Sequence, residues 1–129
     1  MNVLAIDTNA YSAFMLGVAR VVDAMRRAHE IHLPLIVMAE LLAGFASGTR
    51  KEANREQLAR FMASPRVHLL KPDEKTARIY AEVFTALRGQ GTPIPTNDLW
   101  IASLARQHQL GLLTLDAHFR HVPGLAVLP

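Results

Sequence analysis

Residues 95–119 read PTNDLWIASLARQHQLGLLTLDAHF. Asp98, Ile101, Ala102 and Ala105 recur at spacings of three, four and seven, which places them on one face of a helix expected over residues 97–109. Leu112-Leu113-Thr114-Leu115 follows as a short, mostly apolar run, the signature of a buried strand. A helix leading directly into a fully buried strand is half of a parallel βαβ unit. Each half of the stretch also carries a carboxylate against its apolar residues, Asp98 in the first turn of the helix and Asp116 directly after the strand.

The same alternation runs back to the N-terminus. Asn2 to Ile6 reads as a buried strand ending at Asp7, with Thr8 or Asn9 placed to cap a helix carrying Tyr11, Phe14 and Met15. Val18 to His29 is amphipathic, and Ile31 to Leu33 is a short strand. Pro34 suits the first turn of an apolar helix over Leu35 to Ala46, whose side chains are expected to be mostly core. Lys51 to Ala63 is a charged helix stopped by Pro65, and Val67 to Leu70 is another strand. Asp73 is a candidate cap for a helix from Glu74 to Leu87, and RGQGTPIPT, residues 88–96, reads as a loop. A turn after Asp116 leads to a last strand near Leu125 to Leu128. No repeat or linker interrupts the pattern, so residues 1–129 are expected to form one domain. The fold class is α/β: a three-layer α/β/α sandwich around a mainly parallel sheet.

Composition narrows the chemistry. Half of the residues are hydrophobic, enough for a real core, and cysteine is absent, which excludes disulfides and thiolate metal sites. The longest apolar stretch, Leu33 to Ala46, is too short for a membrane span and contains Glu40. The N-terminus lacks a basic segment before its apolar run, so a secretory signal is not expected and a cytoplasmic protein is. Eleven of the fourteen cationic side chains are arginine, whose planar fork matches phosphate better than lysine's point charge does.

The eleven acidic residues fall into two groups. Seven lie in polar stretches, several with arginine three or four positions on, as in Asp23 with Arg26 and Arg27, Glu56 with Arg60, and Glu74 with Arg78. Asp7, Glu40, Asp98 and Asp116 instead sit among apolar neighbours, and only Asp116 has a cation within four residues, Arg120. A buried carboxylate without a partner costs roughly 3–5 kcal/mol, so something must compensate each of them. Any one could be a cap or a paired core acid. Four together, two of them at the carboxyl ends of parallel strands where such sheets form their ligand crevice, read as a site for a hard divalent cation, Mg²⁺ or Mn²⁺. With these four set aside, seven acids face fourteen cations, leaving an exterior that attracts phosphodiester around an acidic pocket. The six histidines are scattered without zinc-motif spacing and are expected at the surface or at interfaces.

Asp7-Thr8-Asn9 after the first strand, Glu40 in an apolar helix, Asn97-Asp98-Leu99-Trp100-Ile101-Ala102, and Thr114-Leu115-Asp116 with Phe119 together resemble the PIN-domain nucleases, above all the VapC toxins of VapBC toxin–antitoxin modules. The likeness spans essentially the whole chain. It implies a PIN-like fold and endoribonuclease activity on structured RNA such as tRNA or rRNA. It further implies that Asp7, Glu40, Asp98 and Asp116 are catalytic and hold Mg²⁺ or Mn²⁺, with Thr8, Asn97 and Thr114 in support. The implied partners are an RNA substrate, a cognate VapB-like antitoxin and a second copy of the chain in a homodimer. Two other enzyme-like readings fit poorly. A haloacid-dehalogenase-type phosphatase needs a second aspartate where Asn9 stands, and a receiver module needs paired acids after strand one and a late lysine, whereas none lies beyond Lys75. The non-enzymatic alternative is a catalytically silent PIN fold that binds RNA or protein, for which loss of acids would be the sign; all four are present.

Overall fold

The computed structural model describes residues 2–128. The chain runs β1 (Val3–Ile6), α1 (Thr8–Met15), α2 (Ala19–Arg27), β2 (Glu30–Pro34), α3 (Leu35–Ala46), α4 (Lys51–Ala63), β3 (Val67–Leu70), α5 (Glu74–Gln90), α6 (Thr96–Gln107), β4 (Gly111–Leu113), a 3₁₀ turn (Ala117–His121) and β5 (Val127–Leu128). All five strands are parallel, in the order β3-β2-β1-β4-β5, and the helices flank the sheet as the alternation predicts. Leu4, Ala5, Ile6, Ile31, Leu33, Leu112 and Leu113 are at most 1% exposed, the two-sided burial that a helix-covered parallel sheet imposes.

This order fixes where a site can form. From the central β1 the chain builds outward through β2 and β3, then crosses back to place β4 on the other side of β1. The connections leaving β1 and β4 therefore diverge, opening a crevice beyond their carboxyl ends. Ile6 lies opposite Leu113, so Asp7 and Thr114 emerge side by side.

Helix α6 is anchored at both ends. Trp100 packs on Tyr80 of α5 with ring centroids 4.6 Å apart. At the far end, Gln107 donates to the Asp73 carboxylate at 3.0 Å, joining the capping box that Asp73 and Thr76 make at the start of α5.

Several boundaries differ from expectation. The cap of α1 is Asp7 itself, not Thr8 or Asn9: its backbone is extended, and its Oδ1 accepts from the Ala10 N–H at 2.8 Å. Helix α5 continues through Gly89, a cost of roughly 1 kcal/mol against alanine, and stops at Gly91, whose left-handed backbone (φ 74°) glycine adopts freely. The expected loop over residues 88–96 thus shrinks to 91–95. Strand β4 ends at Leu113, after which the Thr114 hydroxyl donates to Asp7 and Leu115 lies 40% exposed. The apolar α3 is not mostly core: it buries Val37 and Leu41 while leaving Leu35 and Leu42 more than one-third exposed.

Candidate active site

Asp7, Thr8, Asn9, Glu40, Asp98 and Asp116 line one cavity of about 220 Å³ at the switch point. Four separate pieces of chain deliver the acids: the end of β1, the middle of α3, the first turn of α6 and the segment after β4. Each is held by a local feature. Asp7 is fixed twice, by the Ala10 N–H and by the Thr114 hydroxyl, which donates to its other oxygen. The Thr8 hydroxyl donates to Glu40 at 2.8 Å, tying α1 to α3. Thr114 Oγ1 also accepts the Asp116 N–H at 3.0 Å, and the Asp116 carboxylate caps the 3₁₀ turn through the His118 N–H at 3.2 Å.

Burial separates the four. Asp7 is 4% exposed, whereas Glu40, Asp98 and Asp116 are only half-buried, so the full cost of an uncompensated interior charge falls on Asp7 alone. Burial pushes the Asp7 carboxyl above the usual range; the Thr114 and Ala10 hydrogen bonds oppose this, and the charges on Asp98 and Asp116 reinforce it. Burial likewise raises Asp98, against the hydrogen bond and charge of His118 and with the charges of Glu40 and Asp116. Among the described residues no lysine or arginine forms an ion pair with any of the four.

His118 belongs to this cluster, and the sequence reading missed it. Its Nε2 lies 2.9 Å from Asp98 Oδ2 and its Nδ1 lies 2.8 Å from Asp116 Oδ1. Asp98, Asp116 and His118 offer ligand atoms all within 4.8 Å of one another. Asn97 is exposed and lies outside the cavity lining, with no side-chain hydrogen bond among the described residues. Thr8 and Thr114 do support acids.

The donor set suits a hard divalent ion. It consists of carboxylate, hydroxyl and carboxamide oxygens with one imidazole at the margin, in a polar cavity whose lining includes no lysine or arginine.

The PIN domain family matches residues 4–125. The chain is 31% identical over 104 residues to Ribonuclease VapC2 of Rickettsia felis, covering 80% of this chain and 76% of that protein. It is 26% identical over 121 residues to Ribonuclease VapC5 of Mycobacterium tuberculosis, covering 94% and 88%. Among solved structures, VapBC2 from Rickettsia felis bound to a promoter DNA fragment superposes with a TM-score of 0.86 at 26% identity, over 98% of this chain and 97% of that one. FitAcB from Neisseria gonorrhoeae gives 0.77 at 26% identity, over 98% and 96%.

Proposed function

The chain belongs to the PIN-domain family, and on that premise we propose that it is the endoribonuclease toxin of a VapBC-type toxin–antitoxin module, working as a single domain in the cytoplasm on structured RNA such as tRNA or rRNA. The observation that carries this reading is the convergence of Asp7, Glu40, Asp98 and Asp116 on one cavity at the switch point, without a lysine or arginine paired to any of them among the described residues. Asp7 and Asp98 would be the principal ligands of one Mg²⁺ or Mn²⁺, and Glu40 and Asp116 would hold a second ion or order water. When bound, such an ion lowers the pKa of water and stabilises charge on the phosphoryl and leaving oxygens.

The protein's part is to hold oxygens in place. Thr114 and the Ala10 N–H fix both oxygens of Asp7, Thr8 fixes Glu40, and His118 bridges Asp98 and Asp116 so that they face the cavity together. Preset ligands spare the reaction the reorganisation that free carboxylates would need.

The partner in this reading is a VapB-like antitoxin, and the active form is a homodimer. The part-exposed Leu35 and Leu42 on α3 and the 83% exposed Leu16 supply apolar surface for such contacts. Support also comes from the relatives, which are named ribonucleases, and from VapBC2, solved as a complex. The test is cleavage of total cellular RNA by purified protein in Mg²⁺ or Mn²⁺ and in excess chelator, with the new ends sequenced. Undiminished cutting in chelator would remove the metal mechanism.

A further inference from the structure

Beside the acidic cavity lies a smaller one of about 70 Å³, lined by Arg20, Arg120, Thr114, Leu115 and Asp116 among others. Asp116 lines both. The two cavities thus meet at one carboxylate, four acids on one side and two guanidiniums on the other. We propose that Arg20 and Arg120 form a clamp for a phosphate of the RNA strand adjacent to the one being cut, an inference that rests on the nuclease reading.

Their isolation from the rest of the protein is the first support. Arg27, Arg60, Arg78 and Arg106 are held in ion pairs, and Arg66 donates to the carbonyls of Met25 and Ala28. Arg20 and Arg120, like Arg26, Arg50, Arg55 and Arg88, are exposed and make no ion pair or side-chain hydrogen bond among the described residues; they differ from those four in lining one cavity together with Asp116. Even Asp116, four positions before Arg120 and on the same cavity wall, pairs with His118 instead. The donors of both forks remain available to a ligand.

Convergence is the second. Arg20 comes from the first turn of α2 and Arg120 from the 3₁₀ turn, a hundred residues apart, yet both reach one cavity. Arg20 also lines a third cavity, of about 370 Å³, with Asn2, Asp23 and Arg27. Asp116 lines both the acidic cavity and the arginine-lined one, and Arg20 lines the latter and the third. A polyanion leaving the carboxylates on the Asp116 side meets both guanidiniums. Arginine's fork accepts phosphate oxygens two at a time, and such contacts fix register without reading sequence. Both are positioning residues.

The test compares Arg20→Gln/Arg120→Gln with Arg50→Gln/Arg55→Gln, which removes equal charge from exposed arginines at and near the start of α4. A labelled single-stranded RNA of mixed sequence is titrated in chelator, where the proposed chemistry is off, at graded salt; melting curves verify folding. The clamp variant should bind about tenfold more weakly, with a salt slope shallower by about 0.7 for one lost phosphate contact. Arg20→Lys/Arg120→Lys, which keeps charge and loses the fork, should fall between it and wild type. The Arg50/Arg55 control should stay within about twofold of wild type. Equal losses in the two glutamine variants would overturn the clamp in favour of general attraction. Wild-type affinity in the clamp variant, with wild-type protein still cutting total RNA in Mg²⁺, would overturn the clamp alone. Wild-type protein that cuts no RNA would overturn the nuclease reading and the clamp with it.

Discussion

Asp7 has two roles that substitution can separate: it caps α1, and it contributes a buried charge to the cavity. Asp7→Asn removes the charge but keeps Oδ1 for the Ala10 N–H and places an amide beside the Thr114 hydroxyl. Asp7→Ala removes charge, cap and contact together. The charge is lost in both, so it cancels in their difference. What remains is one N-cap, about 1 kcal/mol, and one hydrogen bond to Thr114, about 1 kcal/mol. For a chain of this size 1 kcal/mol moves Tm by roughly 3–5 °C, so alanine should melt about 6–10 °C below asparagine. The comparison with wild type reads the charge itself. In chelator at neutral pH asparagine should melt at or above wild type, because burial and the nearby acids disfavour the ionised Asp7. Wild type alone should gain when Mn²⁺ is added, by about 2.7 kcal/mol at a hundredfold excess over Kd. Differential scanning fluorimetry of the three proteins, with and without Mn²⁺, measures all of this. Equal melting of the two variants would contradict the cap and the Thr114 contact. An asparagine variant several degrees below wild type in chelator would mean that protein groups compensate the charge, and the metal-site argument would fail at its most buried residue.

Three further outcomes are expected. The folded-state pKa values of Asp7 and Asp98 lie above their unfolded values, so the native state binds more protons and these two groups subtract stability above their raised pKa values. Their contribution, read as the metal-free Tm of wild type minus that of Asp7→Asn, should therefore rise as pH falls through the raised pKa values toward about 3.9, while the Mn²⁺ increment shrinks over the same interval; a difference that does not change with pH would contradict this. Asp98→Asn keeps an acceptor for His118, so it should hold its chelator Tm within a few degrees while losing RNA cleavage and most of the Mn²⁺ stabilisation; persistence of that stabilisation would move Asp98 out of the metal site. Leu42→Glu alters a part-exposed position on α3, so Tm should change by less than about 0.5 kcal/mol equivalent while capture of a co-expressed antitoxin drops; undiminished capture would place the partner elsewhere.

The strand-end acids were legible because their signal is local. Val3 to Ile6 and Leu112 to Leu115 are apolar runs closed by an aspartate, and parallel sheets put such ends at the crevice. Glu40 was legible as the one charge in an apolar helix. His118 was not: two positions after Asp116 is an uninformative spacing, and its other partner, Asp98, is twenty residues back and reached only through the 3₁₀ turn. Asn97 entered through the resemblance alone; it lies exposed and outside the cavity lining, since neighbours in sequence are about 100° apart around a helix. The apolar content of α3 identified a helix, but it does not say which side chains are covered, and Leu35 and Leu42 lie more than one-third exposed.

The bond between Thr114 and Asp7 joins residues 107 positions apart, and β1 finds its β4 partner only when residues 111–113 have been synthesised. Until then Asp7 lacks its hydroxyl donor, Asp116 does not exist, and one edge of β1 is open. At about 5–20 residues per second, the ribosome produces most of this chain as a polypeptide that cannot assemble the cavity. For a protein proposed to destroy RNA inside the cell that makes it, the long reach of that contact is a safety catch. A chain lacking the Thr114–Asp116 segment has neither the hydroxyl that holds Asp7 nor one of the four acids of the cavity.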